Sequence, residues 1–410
     1  MLRFLLTLFI LPALCAGAAD IRLSQRNATA YALKHNPVLA AARLRIDEAR
    51  ARLKQAGRLL NPEIEVELSR NLKAPEGTVG IAFSQQFPLT ARLQLAKAVA
   101  HSQLAAAEAE VRDAERKLGA ETGTAMVKLL ALGGQQALRE KQLTNSRELG
   151  DFMRQRMAVG EAAAVDAASV ELESQMLRTD LLQLAAERAT LLGELRALAG
   201  VRAGDTIAIN GELAAPGSLP ARAGDPARRP DFTAAQHTAE AAAHNAQLAR
   251  TERWQDIRIG LNVSRERMED APDGFESDVF AGLRFSLPLP IWDNRAGHIE
   301  EADAAAKRAA LEKDALAFQI RSESAIARDA MAALARVVIA LDDTLLPKAA
   351  QIEKQFRESY ASGLTPLTEV LRARDRRLAI ERQRLDALRD YHLARVKQQA
   401  ATGVTPVKTK

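Results

Sequence analysis

The sequence predicts a mainly α-helical chain with a small β part, built from two copies of one element order. Three observations carry this. Landmarks recur at fixed offsets: Pro37 and Ile64 return as Pro230 and Ile257, then Gly80, Phe83, Ser84 and Pro88 as Gly282, Phe285, Ser286 and Pro290. Gly160, Gly200 and Val201 return in turn as Gly363, Gly403 and Val404, and such self-similarity is the signature of duplicated structure. The chain is 47% hydrophobic yet only 4% aromatic, which suits long, closely packed helices rich in small side chains. Finally, four short stretches switch from helical periodicity to strict alternation.

The elements follow in order. Residues 1–19 read as an export signal: Arg3 precedes the apolar core Leu5–Leu14, and Ala16, Gly17 and Ala18 suit cleavage before Ala19 or Asp20. The core falls short of the roughly 20 residues of a spanning helix; a short anchor is the alternative. The one cysteine, Cys15, lies in this segment, so the mature chain is left without thiol chemistry; a lipidated Cys15 is the other reading. The first repeat is expected over 20–200. A helix over 23–57, with Ser24 as N-cap and Gly57 as stop, is interrupted at Asn36-Pro37. In 62–70, Ile64, Val66 and Leu68 alternate with Glu63, Glu65 and Glu67, giving a strand with one apolar and one charged face. A second strand places Val79, Ile81, Phe83 and Phe87 on one face and ends at Pro88. Helices follow over 91–158, with a break or bend at Gly133-Gly134, and over 164–199, separated by a turn at Gly160.

Residues 201–227 read as an irregular linker. The second repeat, 228–403, holds a helix over 228–253, strands 256–265 and 278–289 around a loop at Pro272-Asp273-Gly274, a helix over 295–359 broken by Pro347, a turn at Gly363 and a last helix over 366–400. Residues 404–410 form a polar tail. Apolar strand faces map onto apolar faces under the repeat, which a one-residue slip would invert.

Strands of this length, apolar on one side only, match transmembrane β-strands. Two hairpins cannot close a barrel, and open edges in hydrocarbon leave backbone groups unpaired. Several chains therefore have to share one barrel; three supply twelve strands, with Glu63, Glu65, Glu67, Arg258 and Arg284 facing a wet lumen. The bland alternative is two amphipathic hairpins capping a helical bundle.

The chain resembles the TolC family of outer-membrane factors over its whole mature length. The marks are Ala32-Leu33-Lys34-His35-Asn36-Pro37-Val38-Leu39, Leu60-Asn61-Pro62, and Phe285-Ser286-Leu287-Pro288-Leu289-Pro290-Ile291-Trp292-Asp293 followed by Arg295 and Gly297. The turns at Gly160 and Gly363 fit as well. Among its branches, the heavy-metal one, typified by cobalt-zinc-cadmium efflux, is the most similar. The resemblance implies a homotrimer whose shared β-barrel sits in outer-membrane lipid above a long α-barrel crossing the periplasm. It implies the passive exit duct of a tripartite pump, docked to a periplasmic adaptor (membrane fusion protein) and an inner-membrane RND pump. A type I secretion or multidrug duct is the alternative within transport, and a periplasmic coiled-coil adaptor the rival of another class.

In such a trimer Gly160 and Gly363 mark the periplasmic tips. Asp166 and Glu369 there would form carboxylate rings that favour cations and gate with Arg156 or Arg372; otherwise they are acids stabilised at helix N-termini. Trp254 and Trp292 flank the strands as membrane-interface anchors or as ordinary junction packing. No metal site or cofactor is expected: the six histidines are scattered, and His237 with His244 reads as a surface pair. Met153 and Met157 read as helix packing. No catalytic arrangement stands out. The net charge of +5, with arginines interleaved among acids, describes solvated helix faces and not a nucleic-acid partner.

Overall fold

The computed structural model describes residues 20–160, 163–217, 224–270 and 274–403. The expected signal at 1–19 with Cys15, the tail 404–410, Val404, and Pro272 and Asp273 of the second hairpin loop lie outside the described residues. The chain runs β1 (Asp20–Ser24), α1 (Ala28–His35), α2 (Pro37–Gln55), β2 (Glu63–Arg70), β3 (Gly77–Phe87), α3 (Arg92–Ala158), α4 (Ala164–Ala199) and β4 (Thr206–Asn210). The same order then returns as α5 (Pro230–Thr251), β5 (Ile257–Asp270), β6 (Gly274–Ser286), α6 (Ala296–Ala340), α7 (Leu346–Ala361) and α8 (Leu367–Ala401).

Several boundaries differ from expectation. Ser24 does not cap a helix; it ends β1, and the Asn27 side chain accepts a hydrogen bond from its amide at 2.7 Å. The helix starts at Ala28 and restarts after Asn36, whose Oδ1 accepts from Leu39 N at 2.9 Å. Pro37 thus stands at N1 of a new helix, where its missing donor costs nothing. Residues 201–227 are not wholly irregular: β4 lies there and pairs in parallel with β1, Ile21 opposite Ile207 and Leu23 opposite Ile209. This two-stranded ribbon covers a core of Leu23, Met126, Leu129, Leu191 and Leu195.

Gly133 and Gly134 do not break α3, which is one helix of 67 residues, about 100 Å long. A Cβ on Gly134 would meet Leu385 Cδ2 at 3.3 Å, so glycine there serves close packing on α8 and leaves the hydrogen-bond ladder intact. In the second repeat the helix is interrupted as Pro347 implies. A π-turn, Leu341–Leu345, joins α6 to α7 and takes up the carbonyl that the proline ring would otherwise strike. Strands β5 and β6 reach further into their loop than alternation indicates, because polar residues such as Glu266 and Asp278 still pair across the ladder; β6 stops at Ser286, before Leu287.

α3 is the central strut. It packs against α2, α4, α5 and α8, while α8 holds α6 and α7. The helix contacts are rich in alanine: Ala246, Ala249 and Ala302 form one core cluster. Two left-handed glycines tie the ends of the repeats to their beginnings. Gly200 ends α4 at φ 66°, and a Cβ there would lie 2.3 Å from the His35 carbonyl oxygen. Gly403 follows α8 at φ 73°, with the Arg228 carbonyl oxygen 2.5 Å from the same point.

Beside these contacts Asn36 and Arg229, equivalent in the repeat, do different work. Asn36 Nδ2 donates to Leu198 O at 2.8 Å. Arg229, buried to 5% exposure, forms ion pairs with Asp231 and Glu323, the latter at 2.7 Å. Arg116, also buried, reaches Ala400 O at 2.9 Å and Asp113 at 2.7 Å. Burial by itself would raise the Asp231 carboxyl, but the hydrogen bonds from Arg229 and the charges of Arg229 and Arg116 hold it below its ordinary value.

Two predictions follow from this waist. Gly403→Ala meets both left-handed strain and a backbone clash, so it should cost on the order of 2–4 kcal/mol, read as a lower denaturant midpoint. Asp231 has a depressed folded-state pKa, so its stabilisation is complete above the ordinary carboxylate range and is lost as pH falls through the folded value. Unfolding followed from pH 5 downward should therefore lose stability below about pH 4, and less steeply in Asp231→Asn.

Candidate functional site

The site has two ends, a sheet and a tip, about 100 Å of helix apart. The sheet has the order β2-β3-β5-β6, every pair antiparallel. Its register brings the expected apolar residues onto one face: Ile64 is opposite Phe83, Phe83 opposite Leu261, and Leu261 opposite Leu283. The next row holds Val66, Ile81, Val263 and Ala281. No described residue covers this face: Ile64 is 69% exposed and Leu283 67%. A contiguous apolar surface of this kind marks contact with lipid or a partner. Arg265 and Arg267 follow on the same face toward the hairpin loops, where the apolar band ends.

The opposite face carries Glu63, Glu65, Glu67, Arg258 and Arg284, as alternation requires. Arg258 reaches across β3 to Glu63 at 3.2 Å. The residues between are small, Gly80, Ala82, Ser84, Gly260 and Gly282; a Cβ on Gly282 would lie 2.8 Å from Asn262 Oδ1. The strands join the helices through paired charges. Arg92 at the start of α3 binds Asp256 before β5 with both nitrogens of its fork, and Arg295, its repeat equivalent, binds Glu252 at 3.0 Å. Trp254 and Trp292 lie at this junction, 44% and 94% exposed.

At the other end Gly160 and Gly363 adopt φ 77° and 72°. Gly363 closes α7 with Gly363 N donating to Tyr360 O at 3.0 Å and Leu364 N to Ser359 O at 2.9 Å, a left-handed helix stop. Arg156 Nη1 donates to Tyr360 Oη at 3.4 Å, linking the two hairpin tips, and its guanidinium sits over Phe152. Glu369 accepts from Arg372 at 2.7 Å one turn along the same helix. Arg372 is exposed and Glu369 only partly so, and a pair this open to solvent adds little stability. Asp166 begins α4, and its side chain lies outside the described residues. Met153 is buried and Met157 exposed.

One acid near the tip was missed in the sequence. Glu173 on α4, still open to solvent, is held above its ordinary pKa first by partial desolvation against its neighbours and then by the charge of Asp375 on α8, with Arg374 opposing. The only sequence signal was the acid one helical repeat after Asp166; the α8 neighbour is a tertiary fact. His237 bonds Glu240 at 2.8 Å, and the charges of both His237 and His244 help hold that carboxyl below its ordinary pKa. Among the described residues no group of three or more histidine, cysteine or acidic side chains is placed to hold a metal. None of the described helices is long and apolar enough to cross a membrane.

Residues 29–201 and 226–404 match the family model described as Outer membrane efflux protein. The chain belongs to this family. Membership places it in the outer membrane of a Gram-negative cell, extending into the periplasm, and gives it an efflux role; the family is one of channels. The resemblance to TolC-type factors is thereby borne out. Among solved structures the chain is similar to CusC, at 19% identity and a TM-score of 0.76 over 95% of each chain. It is also similar to VceC of Vibrio cholerae, at 20% identity and 0.72 over 92% of this chain and 96% of that one. A membrane protein from Pseudomonas aeruginosa aligns at 24% identity and 0.74 over 92% and 93%. These likenesses show the fold. No curated protein matches the chain in sequence.

Because partial desolvation and Asp375 disfavour the Glu173 anion, Glu173→Gln should raise the thermal midpoint slightly at pH 7. The gain should begin to shrink as pH falls through the raised folded pKa and be gone below the ordinary carboxylate value, where both states are neutral. A gain independent of pH would show that charge is not its source.

Proposed function

We propose that three copies of the chain form the passive exit duct of a tripartite efflux pump. The observation that carries it is the open four-stranded sheet, apolar and exposed on one face, in a member of an outer-membrane efflux family. Three copies give twelve antiparallel strands, an even number within the usual range for outer-membrane barrels. The acidic face then lines water, the Trp254 and Trp292 ends meet the lipid boundary, and α3, α4, α6, α7 and α8 extend the duct into the periplasm. A periplasmic adaptor and an inner-membrane RND pump supply substrate and energy. The repeat division at 20–200 and 228–403 places one hairpin and one helical tip of each kind in every copy.

At the tips, three copies of Asp166 and Glu369, with Arg156 and Arg372 beside them, form the gate. Converging carboxylates favour cations, which suits a heavy-metal substrate. Asp166→Ala with Glu369→Ala should lower the cation preference of single channels in planar bilayers; unchanged conductance and selectivity would remove the gating role. For the duct itself, cell fractionation should yield a heat-modifiable trimer in the outer membrane. A chromosomal deletion should sensitise cells to divalent metals more than to dyes or drugs. A soluble monomer would overturn the duct, and sensitivity to drugs alone would replace metal with a multidrug substrate.

A further inference from the structure

On the polar face the β2 edge carries only acids, whereas the β6 edge carries one cation, Arg284, at its helix-side end, with Asp278 and Glu276 further along toward the hairpin loop. One cross-sheet row runs Glu63, Ser84, Gly260, Arg284; the next Glu65, Ala82, Asn262, Gly282; the third Glu67, Gly80, Ser264, Phe280. The glutamates therefore stand on the free edge of β2 and Arg284 on the free edge of β6. Glu63 is taken by Arg258. Glu65, Glu67 and Arg284 make no hydrogen bond or ion pair among the described residues. Arg284 cannot reach the glutamates of its own chain: three strand spacings, about 14 Å, separate the edges.

Three successive antiparallel pairings leave β2 and β6 running in opposite directions. A second copy can thus set its β2 beside β6 and continue the antiparallel ladder without a change of sense. Only registers that keep side-chain parity leave the apolar face outward, and every such register puts Arg284 on the face of the partner's glutamates. The helical layer has the same polarity. α4 packs on α3, α3 on α8, and α8 on α6 and α7. That leaves exposed Leu172 and Met176 of α4 at one flank and exposed Ile339 and Ile352 of α6 and α7 at the other.

We propose that the seam between copies is a β2–β6 strand pair locked on its polar face by Arg284 of one copy and the Glu65–Glu67 carboxylates of the next. This rests on the trimeric reading above and adds what sets its direction. Two acids two residues apart on an edge strand repel each other, and one guanidinium with five donors serves both. The β2 charges also reject one wrong seam: β2 against β2 would face glutamates with glutamates. A two-fold β2–β2 dimer is thereby disfavoured relative to the head-to-tail contact that closes a ring.

Cysteine pairs test this in the full-length chain in its membrane, since Cys15 is the only native cysteine. Arg284→Cys combined with Glu65→Cys, or with Glu67→Cys, should give disulfide-linked dimers and trimers under mild oxidation. Each single variant should give none. Arg284→Glu should lower the recovery of detergent-resistant trimer several-fold, and adding Glu65→Arg and Glu67→Arg should restore it. A normal trimer with no cross-link from either pair would overturn the seam while leaving the trimer standing, and so would cross-linking of a single variant to itself. A chain that is monomeric before any substitution would instead overturn the trimeric reading, and the seam with it.

Discussion

Backbone hydrogen bonding at β2 and β6 is the constraint on which the rest of this structure depends. Each outer strand of the sheet presents a row of donors and acceptors with no strand partner among the described residues. In water such edges are a liability; in hydrocarbon each unpaired group costs several kcal/mol. The exposed band around Ile64, Ile81, Leu261 and Leu283 is tolerable only where water is absent, so the edges cannot be left to solvent. A face suited to lipid and an edge that lipid disfavours are the two features that the proposed assembly of copies reconciles.

The helical part answers a different demand. A strut about 100 Å long needs close, uniform contact along its length, and alanine and glycine provide it: Gly134 against Leu385, Ala246 and Ala249 against Ala302. The two repeats meet at a waist where chemistry has diverged on equivalent ground. Asn36 closes the first repeat with two neutral hydrogen bonds. Arg229 closes the second through buried ion pairs to Asp231 and Glu323. Nearby His392, fully buried and lowered in pKa chiefly by that burial, pairs with Ala214 O at 2.8 Å and pins the connecting segment onto α8.

The strands were legible because their period is two and one face is apolar; parity alone placed Glu63, Glu65 and Glu67 opposite Ile64, Val66 and Leu68. The turns at Gly160 and Gly363 were legible because left-handed backbone favours glycine. What escaped was long-range. β1 and β4 do alternate, Ile21 with Leu23 and Ile207 with Ile209, but each is only five residues long and its partner lies about 190 residues away in sequence. Gly133-Gly134 has the look of a breaker, yet the reason for Gly134 is a side chain on α8. The Arg258–Glu63 pair and the charge of Asp375 beside Glu173 likewise depend on which elements meet.

The π-turn at Leu341–Leu345 has a consequence in angular phase. One extra residue in a turn rotates everything beyond it by about 100° around the helix axis. Side chains of α7 therefore point to a different azimuth from the one α6 would have given them. The first-repeat counterpart, α3, keeps one phase from end to end. Two staves of equal origin thus present differently aimed faces below the waist, and the buried Glu353, held by Arg357 and Arg377, lies on the re-aimed one.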